Sequence, residues 1–509
     1  MNPDEGFIPR FMETAAREPD RIFARMEQGD TLTFADLATR SGQIARRLLD
    51  AGLQPGDRVA LMLRNDPDTI ALIFALARAG LVWVPVNVQF LGTGLAHILT
   101  HSAPSAILAE TDCLTALADC GASLPVLMIA RGDASWEALF ATGAPALLPA
   151  PPPGHALFAL SYTSGTTGLP KGVQVTHHMF RVAGEGAARV ADVHDDDVLF
   201  VWEPFYHIGG SQLLVLPSLA RVSLHLVARF SASRFWAQVA AAGATHIHYL
   251  GGILQLLLRQ PPGPAEHAHR VRIAWGGGCP PNIWAAVQDR FNLRIRECYG
   301  MTETSSFVTC NADGVTGSVG RPLPWMSVSI RDARGRPVPC GERGEIVAAS
   351  TDAGALTPGY FRNPEATAKA LRDGMLHTGD LGSLDQDGFL WFHGRLSDNV
   401  RVRGENVSAW EVEHVVNGHP LVKECALVGV AAEIGEQDIK IFVQVRENQT
   451  LDPAALAAWL QTRLPRFQRP RYIAFVEDFE RTPSQRIMKH RLSKETGGCW
   501  DRQQMESSG

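Results

Sequence analysis

Residues 162–172 read YTSGTTGLPKG, directly after the apolar run 156–160 and directly before a second one, 173–175. That order predicts a strand, a loop and a strand. Small residues such as Gly165 and Gly168 let backbone N–H groups approach a polyphosphate. The hydroxyls of Thr163, Ser164, Thr166 and Thr167 add donors, and Lys171 adds positive charge. We read the loop as a phosphate cradle. A Walker loop needs Gly-Lys followed by Ser or Thr and then a helix, whereas here Pro170 precedes the lysine and Gly172 follows it, which disfavours that class. A plain Gly/Thr-rich turn is the competing structural reading.

Outward from this loop, helical stretches such as 34–51 alternate with short apolar runs at 58–63 and 106–109. The alternation predicts an α/β fold with layered sheets and helices. The segment APALLPAPPPG (144–154) is too rich in proline for a helix or an inner strand and is expected to be a surface connection. A second α/β stretch runs to about residue 320, and strand-like runs follow at 327–331 and 344–348. Near Asp398 the composition changes. Residues 398–509 read as a small separate α/β unit with a strand at 399–402, a helix from Ala409, strands at 424–430 and 439–446, and a helix from Pro453. Ser408 with Glu411 has capping-box spacing, and Asp452 before Pro453 supplies an N-cap. The expected division is a large N-terminal domain of several subdomains, 1–397, and a small mobile C-terminal domain, 398–509.

The 509 residues are 45% hydrophobic, too many for one core, and the formal net charge is −6. That balance gives no basic surface for nucleic acid, so a small-molecule partner fits better. The start, MNPDEGFIPRF, is acidic where a signal peptide is basic and then apolar. The apolar stretch 69–86 is broken by Arg78, Gly80 and Pro85, so no membrane span is expected. Eight cysteines form no CxxC pair, which points to neither zinc nor a disulfide framework and suits reduced thiols in a cytoplasmic protein.

The loop resembles the signature of the adenylate-forming superfamily, which includes acyl-CoA synthetases, peptide-synthetase adenylation domains and luciferases. WEPFYHIGG (202–210), YGMTET (299–304), PGYFRNPEAT (358–367), HTGDLG (377–382), GRLSDNVRVRGENVSAWEVE (394–413) and RTPSQRIMKHRL (481–492) resemble its further motifs, in its order. GENVSAWEVE and IKIFVQV most resemble the carnitine and crotonobetaine CoA ligase-like branch. The resemblance implies ATP-dependent activation of a carboxylic acid to its acyl-AMP, followed by transfer to coenzyme A, with Mg2+ as the metal.

A carboxylate attacking a phosphate brings two anions together, so the site must supply cations and oriented donors. By resemblance Glu303, with Thr167, holds Mg2+, and Thr302 bonds the α-phosphate. Tyr299, beside Gly300, stacks on adenine, and Asp380 and Arg395 meet the ribose. Gly276, Gly277 and Gly278 of WGGGCP border the adenine and the acyl group. His207 lies near the substrate carboxylate, although a lone histidine is more often structural. His246 and His248 are expected to line or approach the acyl pocket. Asp398 is the expected hinge between adenylation and thioester-forming poses, and Gly404, Glu405 and Asn406 are expected to help build the pantetheine tunnel.

The last motif departs from the pattern. Gln485 and Arg486 stand where most members carry Gly-Lys, and a forked guanidinium does not replace a point charge conservatively. Arg486 is the first choice for the adenylation cation and Lys489 the second, with weakened adenylation as the third outcome. Two other functions stay open: an acyl-AMP former with a different acceptor, such as a carrier protein in trans, an amine, or another activated anion like nitrite; and a non-catalytic nucleotide-binding relative. The acid's identity and the choice between monomer and homodimer also stay open.

Overall fold

The computed structural model describes residues 4–125, 127–143, 148–163, 170–402, 405–432, 437–481 and 487–503, with backbone alone at 397, 399, 401, 405, 406 and 408. Two compact units result: Met1–Val328 with Ala348–His377, and Ser329–Val347 with Thr378–Gly509.

The larger unit is built on two sheets. In chain order their strands are β1 (Ile22–Met26), β2 (Thr31–Thr33), β3 (Arg58–Met62), β4 (Val82–Pro85), β5 (Ala106–Ala109), β6 (Leu127–Ala130), β7 (Leu157–Thr163) and β8 (Lys171–Thr176). After them come β9 (Val198–Val201), β10 (Ser223–Leu226), β11 (His246–Leu250), β12 (Ile273–Gly277), β13 (Arg294–Tyr299), β14 (Thr309–Cys310) and β15 (Arg321–Pro322). One sheet has the order β6-β5-β3-β4-β7-β8, parallel except for the final antiparallel pair. The other runs β15-β14-β13-β12-β11-β9-β10-β1-β2 and is parallel from β13 to β1.

Parallel strands need helical crossovers on their faces, which is why the inner strands are continuous apolar runs. Ala106–Ala109 is buried at all four positions. Helix His177–Ala191 packs against strands of both sheets and is buried along most of its length. Phe7, Phe11, Phe23, Phe34, Phe74, Phe158 and Phe180 fill the adjoining core through edge-to-face, tilted and stacked ring contacts. Each ring contributes about 1.5–3 kcal/mol of burial.

Local signals agree with this packing. Thr33 opens helix Phe34–Asp50 by accepting from Asp36 N, while the Asp36 carboxylate accepts from Thr33 N. The stretch 69–86 divides into helix Pro67–Ala79, closed by Gly80 in the left-handed region, and β4. Among the described residues, no helix is long and apolar enough to cross a membrane.

The smaller unit carries the antiparallel pair Asn399–Val402 and Glu405–Ser408, helix Ala409–Asn417, and a four-stranded sheet of Val422–Ala431, Gln437–Val445, Tyr472–Phe475 and Trp500–Asp501. Helix Pro453–Gln461 starts where Asp452 accepts from Ala455 N. Val407, Val412, Val416, Ile441, Val443 and Leu456 close its core. The proposed capping box of Ser408 rests on a side chain outside the described residues.

Candidate active site

All five parallel pairings from β13 to β1 point the carboxyl ends of their strands the same way, and ligands of α/β sheets gather at that edge. The motifs WEPFYHIGG, WGGGCP and YGMTET leave the sheet there, after β9, β12 and β13. The phosphate loop leaves the other sheet between β7 and β8, whose register pairs Thr163 with Lys171. Ser164, Gly165, Thr166, Thr167 and Gly168 lie outside the described residues, as do Gly404, Gln485 and Arg486.

Backbone hydrogen bonds suture three motifs together. Gln174 N donates to Gly359 O at 3.1 Å and Phe361 N to Gly172 O at 2.8 Å, so PGYF runs along β8; Tyr360 bridges Val173. Thr357 N donates to Glu303 O at 2.8 Å, which fixes the same segment to the YGMTE turn. The result is a buried cluster. Tyr360 donates its hydroxyl to Glu303 Oε1 at 2.8 Å, and Lys171 Nζ stands 4.8 Å from the centre of the Tyr360 ring. Burial raises the Tyr360 phenol, with Glu303 beside it, so it keeps its proton. Tyr360 is absent from the residues that the sequence singled out. Its signal was its place in PGYF, but its role depends on a contact 57 positions away along the chain.

The YGMTE turn needs its glycine, because a Cβ on Gly300 would lie 2.0 Å from Ser306 O. Thr302 and Glu303 follow in a 3-10 turn, both buried, and Tyr299 ends β13 beside them. Among the described residues no group of three or more His, Cys, Asp or Glu side chains is placed to hold a metal. A single hard carboxylate beside phosphate oxygens is the donor set that Mg2+ accepts, and Glu303 offers it.

A second cluster supports the WGGGCP loop. Glu297 on β13 accepts from Gly278 N and from the Tyr249 hydroxyl, and from Cys279 N at 3.2 Å to each oxygen. Burial pushes its carboxyl up to about 7, against the pull of those donors. Gly251 N donates to Gly277 O at 2.9 Å, so the loops after β11 and β12 are joined. Sequence reading did not single out Glu297.

At the same edge the His248 ring lies 2.7 Å from Glu203 Oε2 and 4.3 Å, centre to centre, from Trp275. Glu203 is only 3% exposed and occupies the space that Gly209 leaves, since a Cβ there would lie 2.5 Å from Glu203 Oε1. Asn65 pins this turn by donating to Glu203 O and accepting from Phe205 N. His207 begins the short helix Ile208–Ser211 and packs edge-on against Tyr206.

His246 goes elsewhere. It sits at the amino end of β11, fully buried, with Nε2 at 2.9 Å from Ala191 O and Nδ1 at 2.8 Å from Thr245 Oγ1. Burial pulls its ring down to about 4, so it is a neutral core histidine. The structure does not bring it to the acyl edge, because the carboxyl end of its strand faces that edge and His246 is the first residue.

In the smaller unit Asp380 pairs with Arg395 across an antiparallel register, Arg395 Nε standing 3.6 Å from Asp380 Oδ1. Lys489 Nζ is held by both Glu413 oxygens at 2.8 and 3.0 Å, with Asp398 Oδ2 at 3.7 Å.

Residues 11–361 match the family model of AMP-binding enzymes, and residues 411–486 match that of the AMP-binding enzyme C-terminal domain. The chain belongs to the AMP-binding enzyme family. Within that family it is 34% identical to the sulfoacetate–CoA ligase of Cupriavidus necator, over 94% of this chain and 95% of that protein. It is 32% identical to the crotonobetaine/carnitine–CoA ligase of Salmonella paratyphi A, over 90% and 92%. Among solved structures it resembles ATP-bound MatB from Rhodopseudomonas palustris, with 27% identity, a TM-score of 0.86, and 96% and 98% of the two chains covered. It also resembles o-succinylbenzoate CoA synthetase (MenE) from Bacillus subtilis with its acyl-adenylate intermediate, with 25% identity, a TM-score of 0.83, and 95% and 97% covered. This AMP-binding enzyme is an AMP-forming acid:CoA ligase, working with ATP, Mg2+ and coenzyme A.

Proposed function

We propose that the chain activates a short acid carrying a polar or charged end, and that the cluster of Lys171, Tyr360 and Glu303 is the nucleotide-facing half of its site. That cluster is the observation on which the reading rests: a cation and a carboxylate from two distant motifs are held together by one buried tyrosine. Glu303, with Thr167, would hold Mg2+, whose charge screens the phosphate oxygens. Lys171 supplies a point charge at the base of the phosphate loop. Thr302 donates toward the α-phosphate, Tyr299 gives adenine a flat face, and Asp380 with Arg395 takes the ribose. An oxygen of the acid attacks the α-phosphorus, the bond to the bridging oxygen breaks, and pyrophosphate leaves. The thiol of coenzyme A then loses its proton and attacks the acyl carbon, releasing AMP. Arg486 is the proposed adenylation cation, and Asp398 the proposed hinge between domains 1–397 and 398–509.

The acid's class follows from Glu203, His248 and Trp275. A buried carboxylate just past β9 and an imidazole midway along β11 suit a substrate with a hydrogen-bonding end far better than an alkyl chain, whose burial there would strand both groups. Two relatives act, by name, on sulfoacetate and on crotonobetaine or carnitine. The test is a panel of acids offered with ATP, Mg2+ and coenzyme A, read as AMP, pyrophosphate and acyl-CoA. Short polar acids should give acyl-CoA at rates well above octanoate. Acid-independent behaviour across the panel would overturn the function, and preference for octanoate would overturn the class.

A further inference from the structure

Lys489 stands in the last motif, three residues beyond Arg486, and sequence reasoning makes it the second choice for the adenylation cation. Its surroundings give it a different task. Its ammonium carries three donors, and Glu413 on helix Ala409–Asn417 takes it with both oxygens, at 2.8 and 3.0 Å. Glu413 is itself anchored, accepting from Leu427 N on the neighbouring strand at 2.5 Å. The remaining side of the ammonium faces Asp398 Oδ2 at 3.7 Å. Asp398 closes the turn Leu396–Asp398, and the strand Asn399–Val402 begins at the next residue. The same lysine thus ties helix, sheet and turn. Its side chain is 27% exposed and that of Glu413 14%, so the pair is largely shielded from water and salt. Were Lys489 to leave for a phosphate, Glu413 would keep a buried charge with no cation, which is strongly unfavourable.

We infer that Lys489 is a positioning residue, an ammonium latch held by Glu413 that grips the hinge residue Asp398 and so sets the balance between the adenylation and thioester-forming poses. The inference rests on the proposed hinge at Asp398. When the backbone at Asp398 turns, its carboxylate swings relative to a lysine that Glu413 holds still. The ion pair therefore favours one pose over the other without touching a substrate. Arg486 is left as the cation for chemistry.

The test measures two half-reactions on the full chain: acid-dependent exchange of pyrophosphate into ATP, and formation of acyl-CoA from preformed acyl-AMP. Lys489→Met and Asp398→Asn should each change the ratio of the two rates by about tenfold, in the same direction, and the double variant should change it no further. KM for ATP and for the acid should stay within about twofold in Lys489→Met, and Lys489→Arg should recover most of the wild-type ratio. A Lys489→Met enzyme that loses pyrophosphate exchange 100-fold or more and keeps the thioester half would overturn the latch and make Lys489 a reacting-site cation. Unchanged ratios in both single variants, or purely additive effects, would also overturn it. If Lys489→Met fails to fold because Glu413 is stranded, Lys489→Met with Glu413→Gln leaves a neutral pair of similar shape and carries the same test. Wild-type protein that forms no acyl-CoA from any acid would instead sink the proposed function, and it is measured first.

Discussion

Replacing Glu297 tests whether one buried carboxylate holds the WGGGCP loop in shape. In Glu297→Ala three donors lose their acceptor: Gly278 N, Cys279 N and the Tyr249 hydroxyl. At about 2 kcal/mol for each unsatisfied buried donor, the loss is roughly 6 kcal/mol. Against this stands the strain of ionising a carboxyl that burial pushes up to about 7. From the ordinary glutamate value of 4.5 the gap is roughly 2.5 pH units, or about 3 kcal/mol at 1.36 kcal/mol per unit. The sign is fixed by proton uptake. Between about pH 4.5 and 7 the native protein keeps a proton that the unfolded chain has released, so the contribution is whole below that window and falls away as pH rises through it. The alanine variant lacks the group and the slope. Its penalty should therefore be about 6 kcal/mol at pH 4.5 and about 3 kcal/mol at pH 8. Urea unfolding of wild type and variant at the two pH values measures the difference, and KM for ATP at pH 8 should rise about tenfold as the loop loosens. A penalty equal at both pH values, or larger at pH 8, would refute the reasoning.

Tyr360→Phe keeps the ring over Lys171 and removes one hydrogen bond to Glu303, so pyrophosphate exchange should fall about tenfold. Arg486→Ala should lower acyl-AMP formation by roughly 10²- to 10³-fold in the same assay, the scale of one lost preorganised donor. Gly209→Ala drives a methyl into Glu203; KM for the acid should rise about tenfold while KM for ATP holds, as steady-state kinetics would show. His246 is depressed to about 4 by burial, so the stability it contributes is present above about pH 6.5 and is lost as pH falls toward 4. His246→Asn should flatten that part of the pH–stability curve by about 3 kcal/mol, read from denaturation midpoints.

Patterns that depend on neighbours in the chain were legible in advance. Asp452 with Pro453 announces the helix whose first turn it caps, and the run Ala106–Ala109 is a strand because all four side chains are buried. The two strands that flank the phosphate loop followed from the apolar runs on either side of its small residues. What stayed hidden was set by partners far off in sequence. Tyr360 matters through Glu303, Glu203 through His248, and Glu297 through the loop after β12; no local spacing encodes any of these contacts. His246 and His248 look alike in THIHYLGG and both are buried, yet only the sheet's direction sets His248 nearer than His246 to the carboxyl end of the strand.

The three motifs around Lys171, Tyr360 and Glu303 are joined mainly by main-chain hydrogen bonds, whereas Glu203, His248 and Trp275, proposed to face the acid, also meet through their side chains, as an ion pair and a ring contact. Point substitutions can therefore rewrite which acid is accepted without unpicking the stitching that handles the nucleotide. A scaffold divided in this way is well suited to retargeting, since a library confined to those positions leaves the nucleotide contacts in place, so that pyrophosphate released with each acid scores its acceptance directly.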